Sequence, residues 1–304
     1  MFICTHPYIS VNHIETCFLK RSDYIEQEKL QCSFKKDESW LILSPIEQSI
    51  KQKIESIGTP LKGWDIRINR GILTGYNEAF IIDKTKRDEL IETDPKSAEI
   101  IRPILRGKDI KRYSYNFADK YLITTYNEYT DDNGRVHPSI DMKNYPAIKE
   151  YLDSYWNAIS RRQDKGDTPY NLRRCAYMDD FNKQKLAWNR IASQKIFGIV
   201  PKDIYIQDSM HFITGEHIEY LSAVLNSSLF NWLMNTIVGE SAGGNAGNAD
   251  NVKSLLIMKP TSEIEQKIIK YLRNGDADSI DKLIFQIYSL DKDEIQFISS
   301  SSKP

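Results

Sequence analysis

Two basic stretches contain the side chains best suited to bind an anionic ligand. Residues 102–120 carry six Lys or Arg side chains against two Asp, and residues 161–190 carry eight against four Asp, so each stretch has a local charge of +4. Such cations bind phosphate oxygens, arginine also pairs with guanine through two hydrogen bonds, and asparagine pairs with adenine. The two stretches therefore predict a nucleic-acid interface, although the whole chain has a net charge of −1.

The candidate contact residues combine cations, amides and a ring that can stack on a base. In the first stretch they are Arg106, Lys108, Lys111, Arg112 and Tyr113. In the second stretch they are Asn171, Arg173, Arg174, Asn189 and Arg190. Each could read a base edge or bind a phosphate, and the alternative for the first stretch is a solvated charged loop.

A pair of glycines, Gly71 and Gly75, forms a further candidate site. The segment lacks the Gly-Lys-Ser/Thr of a P-loop and the third glycine of a dinucleotide fingerprint, which argues against nucleotide binding. It could be a tight connection between strands, or glycines that let the backbone approach a phosphate closely. In the second case we expect Arg70 and Thr74 to contact DNA.

Composition favours an ordinary globular protein without a metal site. With 304 residues, of which 40% are hydrophobic, the chain can bury one large core or two modest ones. No apolar run is long enough for a membrane span, and the first residues lack the pattern of a secretory signal, so we expect a cytoplasmic protein. The four cysteines include no C-x-x-C pair and the five histidines no H-E-x-x-H, which predicts no metal ligands.

The elements that would position these side chains alternate between helices and short strands, which predicts an α+β fold. Ser44, Pro45 and Glu47 form a capping signal for a helix over residues 45–57 with a stripe of isoleucines. Further helices are predicted at 86–91, 97–101, 147–159, 219–238, 263–272 and 279–290. Strands are predicted at 33–43, 64–69, 79–82, 121–125, 185–191, 203–206 and 254–258, with a turn at 131–134 and a mobile loop at 239–251.

The motifs of a complete enzyme are missing from this sequence. There is no N-P-P-Y or D-P-P-Y of an amino-methyltransferase, no glycine-rich cofactor loop after a first strand, and no convincing Asp and Glu-x-Lys nuclease pattern. We therefore assign no catalytic residue, no metal and no cofactor to this chain.

Several ordered motifs resemble a known family. They are WLILSPIEQSIKQKIESIGTPLKGWDIRINRGILTGYNEAFIID, IIRPILRGKDIKRY, TPYNLRRCAY, KLAWNRI, IEYLSAVLNSSLFNWL and DKLIFQIYSL. Together they cover roughly residues 40–290 and resemble the C-terminal specificity region of N6-adenine DNA methyltransferases of the TaqI and Eco57I type, which includes type IIG restriction-modification enzymes.

The resemblance implies a target recognition domain, a mixed α/β body that docks on double-stranded DNA and is flanked by connecting helices. It divides the chain into 1–43 as the end of a methyltransferase domain or a linker, 44–260 as the recognition domain, and 261–304 as a helical segment packed on the 45–57 helix. The partners would be double-stranded DNA and the methyltransferase domain of a parent enzyme, with a nuclease domain in some members. S-adenosylmethionine would be bound by the parent enzyme and not by this chain.

Two other classes of function are compatible with the residues alone. The chain could be a complete but divergent DNA methyltransferase or endonuclease, in which case it would bind cofactor or cleave DNA with a metal. It could also be a protein-interaction module whose basic stretches are only solvated surface, in which case it would show no salt-dependent affinity for DNA.

Overall fold

The computed structural model describes residues 43–191, 195–238 and 247–301, together with the backbone of two strands near the start of the chain. Those two strands, Ile14–Phe18 and Glu28–Cys32, pair in antiparallel orientation. The predicted strand at 33–43 lies outside the described residues apart from Leu43, and so does most of the predicted loop at 239–251.

The described residues form helices of four to thirteen residues. These are α1 (Pro45–Ile57), α2 (Asn77–Phe80), α3 (Lys84–Thr93), α4 (Pro146–Asp153), α5 (Trp156–Ile159), α6 (Ile218–Leu225), α7 (Ser228–Leu233), α8 (Ala249–Ser254), α9 (Ser262–Arg273), α10 (Ala277–Ile287) and α11 (Lys292–Ser301). Short 3-10 turns occur at Leu61–Gly63, Pro95–Glu99, Gly107–Asp109, Met142–Asn144 and Met178–Asn182, and a π turn at Met234–Val238. Among these helices none combines the length and apolar character that a bilayer span requires.

The strands are short and form several sheets. They are β1 (Ile14–Phe18), β2 (Glu28–Cys32), β3 (Thr59–Pro60), β4 (Ile66–Arg70), β5 (Ile81–Asp83), β6 (Ile101–Leu105), β7 (Ile110–Lys111), β8 (Ser114–Tyr115), β9 (Lys120–Ile123), β10 (Tyr129–Thr130), β11 (Val136–His137), β12 (Lys185–Asn189), β13 (Phe197–Val200), β14 (Tyr205–Ile206), β15 (Met210–Gly215) and β16 (Leu256–Ile257). A central sheet has the order β13-β12-β15-β4 and a second sheet the order β14-β6-β9-β5. The mixture of helices and mixed sheets confirms the predicted α+β class.

The central sheet separates two hydrophobic cores, as the alternation of side chains along β12 shows. Leu186 and Trp188 belong to a core built with the helices α1, α6, α7, α9 and α10, whereas Ala187 between them belongs to a core built with the second sheet and α4. Successive side chains of a strand point to opposite faces, so both faces of this sheet are buried. Packing on both faces therefore fixes the positions of the residues at the ends of its strands.

Helix α1 begins and ends where its sequence signals predict. The Ser44 hydroxyl accepts from the Glu47 N–H, and the Glu47 carboxylate accepts from the Ser44 N–H at 2.7 Å, which completes the capping box. Ile50 and Ile54 are its buried stripe. This prediction is confirmed because every group involved lies within one turn of the helix.

Other predicted elements differ from the structure. The helix predicted at 97–101 is a 3-10 turn followed by strand β6, and strand β15 was not predicted. The run predicted as a strand at 79–82 begins as helix α2, residues 249–251 of the predicted loop lie in helix α8, and the strand predicted at 254–258 is reduced to Leu256–Ile257.

The long helix predicted at 219–238 is broken between α6 and α7. The break occurs at Asn226, whose side chain accepts from the Phe197 N–H at 3.0 Å and donates to the Phe197 carbonyl at 2.7 Å. Ser227 then caps α7 by accepting from the Phe230 N–H. The break therefore depends on a contact with strand β13 that no local pattern reveals.

The C-terminal helices contact α1 through a buried carboxylate. Glu294 is 2% exposed and accepts from the Ser49 hydroxyl at 2.7 Å and the Lys53 ammonium at 2.6 Å. Ile50, Ile54 and Ile280 share one buried core, with Leu283 and Ile287 packed against it. The two ends of the described chain are thus joined by both apolar and charged contacts.

Lys185 is fully buried in β12, and burial lowers the pKa of its ammonium to about 7, against the opposing effects of Asp203 and Asp180. The ammonium donates to the carbonyls of Phe181, Pro201 and Ile204 at 2.8, 3.2 and 3.1 Å. A lysine in the unfolded chain titrates near pH ~10.4. Between about pH 7 and that value the unfolded chain binds more protons, so the free energy of unfolding rises with pH.

We therefore expect this residue to add about 2–3 kcal/mol to the free energy of unfolding as the pH is raised from about 7 to about 9. Urea denaturation of the wild type and of Lys185→Met at several pH values measures it, because the difference between the two curves isolates this group. The exposed neighbour Lys202, changed to Met, should leave the pH dependence as in the wild type. Parallel curves for the wild type and Lys185→Met would contradict the prediction.

Candidate nucleic-acid interface

One end of the central sheet brings residues from distant parts of the sequence into a row. Arg70 at the end of β4 pairs with His211 of β15, His211 pairs with Trp188 of β12, and Trp188 pairs with Phe197 of β13. Asn189 and Arg190 follow Trp188 directly and extend beyond this row. The register of four strands thus places Arg70, Asn189 and Arg190 at the same end of the central sheet, where β4 and β12 end. We call this end of the sheet the edge below.

The β7–β8 hairpin extends the row beyond β13. The Tyr113 N–H donates to the Phe197 carbonyl at 3.0 Å, and the Ile199 N–H donates to the Tyr113 carbonyl at 3.4 Å. Arg112 precedes Tyr113 and is exposed, with one guanidinium N–H donating to the Asn226 carbonyl at 2.7 Å. Neighbouring strands lie about 4.8 Å apart, so four spacings separate Arg70 from the hairpin by roughly 20 Å, the length of about six base pairs.

A second loop is held against this edge by Asn189. The Asn189 amide donates to the Gly107 carbonyl at 2.9 Å, and a Cβ at Gly107 would overlap the Asn189 side-chain oxygen. Lys108 follows Gly107 and is exposed. A glycine is therefore required at 107 for this close approach, and the approach brings Lys108 to the same edge.

We call this edge the strand-end surface; it consists of Arg70, Lys108, Lys111, Arg112, Asn189 and Arg190. Within the described part of the chain the Arg190 guanidinium makes no hydrogen bond or ion pair. Arg190 is half-buried and Arg70 is paired with Asp208, whereas Lys108, Lys111 and Arg112 are exposed. Several cations side by side can bind phosphate oxygens and release several counterions. The surface can thus bind a polyanion.

The pKa of His211 is affected by several cations near the strand-end surface. Burial lowers the pKa of His211, and the charges of Arg190, Arg70 and Lys253 lower it further. His211 is 7% exposed and packs beside Trp188 with ring centroids 5.6 Å apart. The imidazole is therefore neutral at pH 7, and three cations lie near it.

Arg106 is placed near the strand-end surface but is neutralised there. Its Nε and Nη2 donate to the two Asp109 oxygens, both at 3.0 Å, and its own N–H donates to the same carboxylate at 2.8 Å. Asp109 is 5% exposed. The pair fixes the Gly107–Asp109 turn, so Arg106 acts here as a support for Lys108.

Arg173 and Arg174 lie on the neighbouring loop and are exposed. Arg173 forms an ion pair with Asp164 at 3.3 Å, and Arg174 forms one with Asp167 at 2.6 Å. Arg173 also lines a small cavity together with Ile72, two residues beyond Arg70. The loop therefore adjoins the strand-end surface at the β4 side.

Three of the candidate residues are turned into the protein. Thr74 is 1% exposed and donates to the Asn77 side chain at 2.6 Å. Asn171 is 1% exposed and bonds to Thr168 and to the carbonyls of Tyr126 and Ile140. The Tyr113 hydroxyl is buried and has no hydrogen-bond partner among the described residues, and its ring packs against the helical core. In this conformation none of the three can reach a base, and we leave them out of the interface proposed below.

Sequence reasoning missed the turn at residues 207–209, which lies between Arg70 and Arg190. The Arg70 Nε donates to the Asp208 carbonyl at 3.1 Å and its Nη2 to the Asp208 carboxylate at 3.0 Å, while the Arg190 N–H donates to the Ser209 carbonyl at 3.1 Å. The polar run Gln-Asp-Ser before an apolar stretch could have indicated a turn that precedes a strand. That interpretation requires β15 to be predicted as a strand, and it was not. Among the described residues, no group of three His, Cys, Asp or Glu side chains is placed to hold a metal ion.

Sequence comparison relates part of the chain to a known domain. Residues 102–246 match the sequence model of the TaqI-like C-terminal specificity domain. A curated relative is the Type II methyltransferase M.PaeR7I of Pseudomonas aeruginosa, which is 20% identical over 268 residues, covering 84% of this chain and 44% of that protein. The chain thus spans less than half the length of the relative.

A solved structure of a restriction-modification enzyme has a similar fold. The type IIL restriction-modification enzyme MmeI, solved in complex with DNA, matches with a TM-score of 0.54 at 11% identity over 94% of this chain and 41% of that one. The type IIG restriction endonuclease BpuSI matches with a TM-score of 0.47 at 12% identity over 85% of this chain and 33% of that one. The resemblance expected from the sequence is thereby confirmed over residues 102–246, which match the model of the TaqI-like C-terminal specificity domain.

Proposed function

We propose that this chain binds double-stranded DNA and recognises a short target sequence for an adenine-N6 DNA methyltransferase or restriction-modification enzyme. The observation that carries the proposal is the strand-end surface, where Arg70, Lys108, Arg112, Asn189 and Arg190 converge from four separate segments. Cations supply salt-dependent grip on phosphates, and arginine and asparagine can pair with guanine and adenine. Both kinds of group are needed for specific binding.

The chain would act as the recognition part of a larger enzyme. A methyltransferase must rotate its target base out of the duplex, and a separate domain that grips the neighbouring base pairs can hold the opened DNA. The methyl donor S-adenosylmethionine, the methyltransferase domain and, in some enzymes, a nuclease would belong to that larger protein. Such a module works where the DNA is, so the proposal keeps the cytoplasmic location.

The proposed division of the chain follows the same logic. Residues 44–260 would form the recognition domain, which contains the matched 102–246. Residues 261–304 would form a helical segment packed on α1, a layout supported by the hydrogen bonds of Ser49 and Lys53 to Glu294. Residues 1–43 would lead to the methyltransferase domain.

Selection from a pool of randomised duplex DNA at low and moderate salt tests the function. We expect one short motif to be enriched, and log affinity to fall linearly with log salt concentration, because each phosphate contact releases counterions. The roughly 20 Å row predicts a motif of about six base pairs or fewer. Retention without sequence enrichment would reject target recognition, and no retention at low salt would reject DNA binding by this chain.

A further inference from the structure

The 207–209 turn lies beside the strand-end surface and is held by hydrogen bonds to several strands. The Gln207 N–H donates to the Leu105 carbonyl and the Asp208 N–H to the Ile72 carbonyl, both at 3.0 Å, and the Gln207 carbonyl accepts from the Met210 N–H at 3.0 Å. The carbonyls of Asp208 and Ser209 accept from Arg70 and Arg190. The turn is thus tied to β4, β6, β12 and β15, and its side chains start from a fixed backbone.

The chemistry of these side chains differs from that of their surroundings. Gln207 offers an amide, Asp208 a carboxylate and Ser209 an exposed hydroxyl, whereas Arg70 and Arg190 lie on either side. Within the described residues the Gln207 amide makes no side-chain hydrogen bond, and the side chain is half-buried. An unpaired amide on a held backbone, next to a turn that contacts Arg70 and Arg190, has both of its hydrogen-bonding groups available to a ligand.

A phosphate is a poor match for the centre of this arrangement, because the Asp208 carboxylate would repel it. A base edge is a good match, since adenine offers an N–H donor and an N7 acceptor to an amide, and cytosine offers an N–H donor to a carboxylate. The flanking Arg70 and Arg190 would then contact the DNA backbone or a neighbouring guanine.

We propose that Gln207 is a specificity-determining residue that reads one base pair of the target, with an adenine as its partner. Arg70 and Asp208 hold each other in position beside it, as their two hydrogen bonds require. This inference rests on the proposed function, since a base can be read only by a chain that binds duplex DNA.

The test repeats the selection from randomised duplex DNA with the full chain and three variants. For Gln207→Ala we expect one position of the wild-type motif to lose its preference, the other positions to persist, and affinity for the wild-type site to fall about 10- to 100-fold. For Gln207→Glu we expect the same single position to change preference, because a carboxylate accepts from cytosine and lacks the donors of an amide. Gln52→Ala, an exposed glutamine of α1, serves as the matched control and should reproduce the wild-type motif.

The outcomes separate this inference from the proposed function. A wild-type motif that persists unchanged in Gln207→Ala, at unchanged affinity, overturns the reading role and leaves DNA recognition standing. A wild-type chain that enriches no motif overturns both. If Gln207→Ala loses all DNA binding but keeps the thermal unfolding midpoint of the wild type, the residue contributes to sequence-independent affinity. That result also overturns a base-specific role.

Discussion

Substitution of Arg162 by Met is expected to lower the free energy of unfolding by about 3–5 kcal/mol. Arg162 is 6% exposed and donates to the carbonyls of Pro169 and Asn171, both at 2.8 Å, and to the carbonyl of Thr74. Its guanidinium also lies 4.3 Å from the centroid of the Phe80 ring. Methionine fills a similar volume but leaves these buried carbonyls without donors, each at a cost of about 1–3 kcal/mol.

Arg161 offers a matched control at the adjacent position. It is exposed, and the same change to Met there should alter stability by less than about 0.5 kcal/mol. Urea denaturation of both variants against the wild type gives the comparison. Equal stabilities of the two variants would show that the Arg162 hydrogen bonds contribute no more than solvent contacts do.

The Arg162 substitution also has a consequence for the candidate interface. Burial lowers the pKa of Arg162 to about 10, against the opposing charge of Asp164, so the guanidinium is still protonated at pH 7 and holds the loop that carries Arg173 and Arg174. Loss of this support should loosen the loop before the remainder of the chain unfolds. Amide hydrogen exchange in residues 164–174 would detect it as faster exchange in Arg162→Met at low denaturant.

Local signals in the sequence predicted the elements whose determinants are themselves local. The capping box at Ser44 and Glu47 located helix α1, and the change to a period of two after Trp64 located strand β4. Strand β6 was not predicted, and its first residue, Ile101, was assigned to the end of a helix. Arg102 and Pro103 interrupt its apolar run, and its pairing partner β9 lies about twenty residues away. The break at Asn226 likewise depends on Phe197, which is distant in sequence.

The candidate site shows the same limit. Charge density selected Asn189 and Arg190, and the glycine pair beside Arg70 selected that residue; the strand register places all three at one end of the central sheet. Charge density could not separate them from Asn171, which is 1% exposed, because the burial of an asparagine side chain is not evident from its neighbours in the sequence. Gln207 was missed for the converse reason: its setting is defined by four different strands and not by its neighbours in the chain.

Simultaneous substitution of Arg70 and Arg190 by Ala is expected to reduce affinity for the selected DNA site on the order of 100-fold or more. Each charge-assisted hydrogen bond contributes about 1.5–3 kcal/mol, and both side chains lie on the strand-end surface. If both bind phosphates, the slope of log affinity against log salt concentration should fall in magnitude by about 1.8. If they read bases, the slope should stay near the wild-type value while the motif loses positions.

The double variant Arg135→Ala and Arg273→Ala removes the same charge from exposed positions elsewhere, in the turn between β10 and β11 and at the end of α9. Single Arg190→Ala completes the set, because it leaves the Arg70 and Asp208 pair intact. Binding isotherms at several salt concentrations then compare an equal loss of charge at two places. A localised interface requires the Arg70 and Arg190 variant to lose far more affinity than the control, with Arg190→Ala in between. Equal losses in the two double variants would mean that only net charge attracts the DNA, and the strand-end surface would then have no special role.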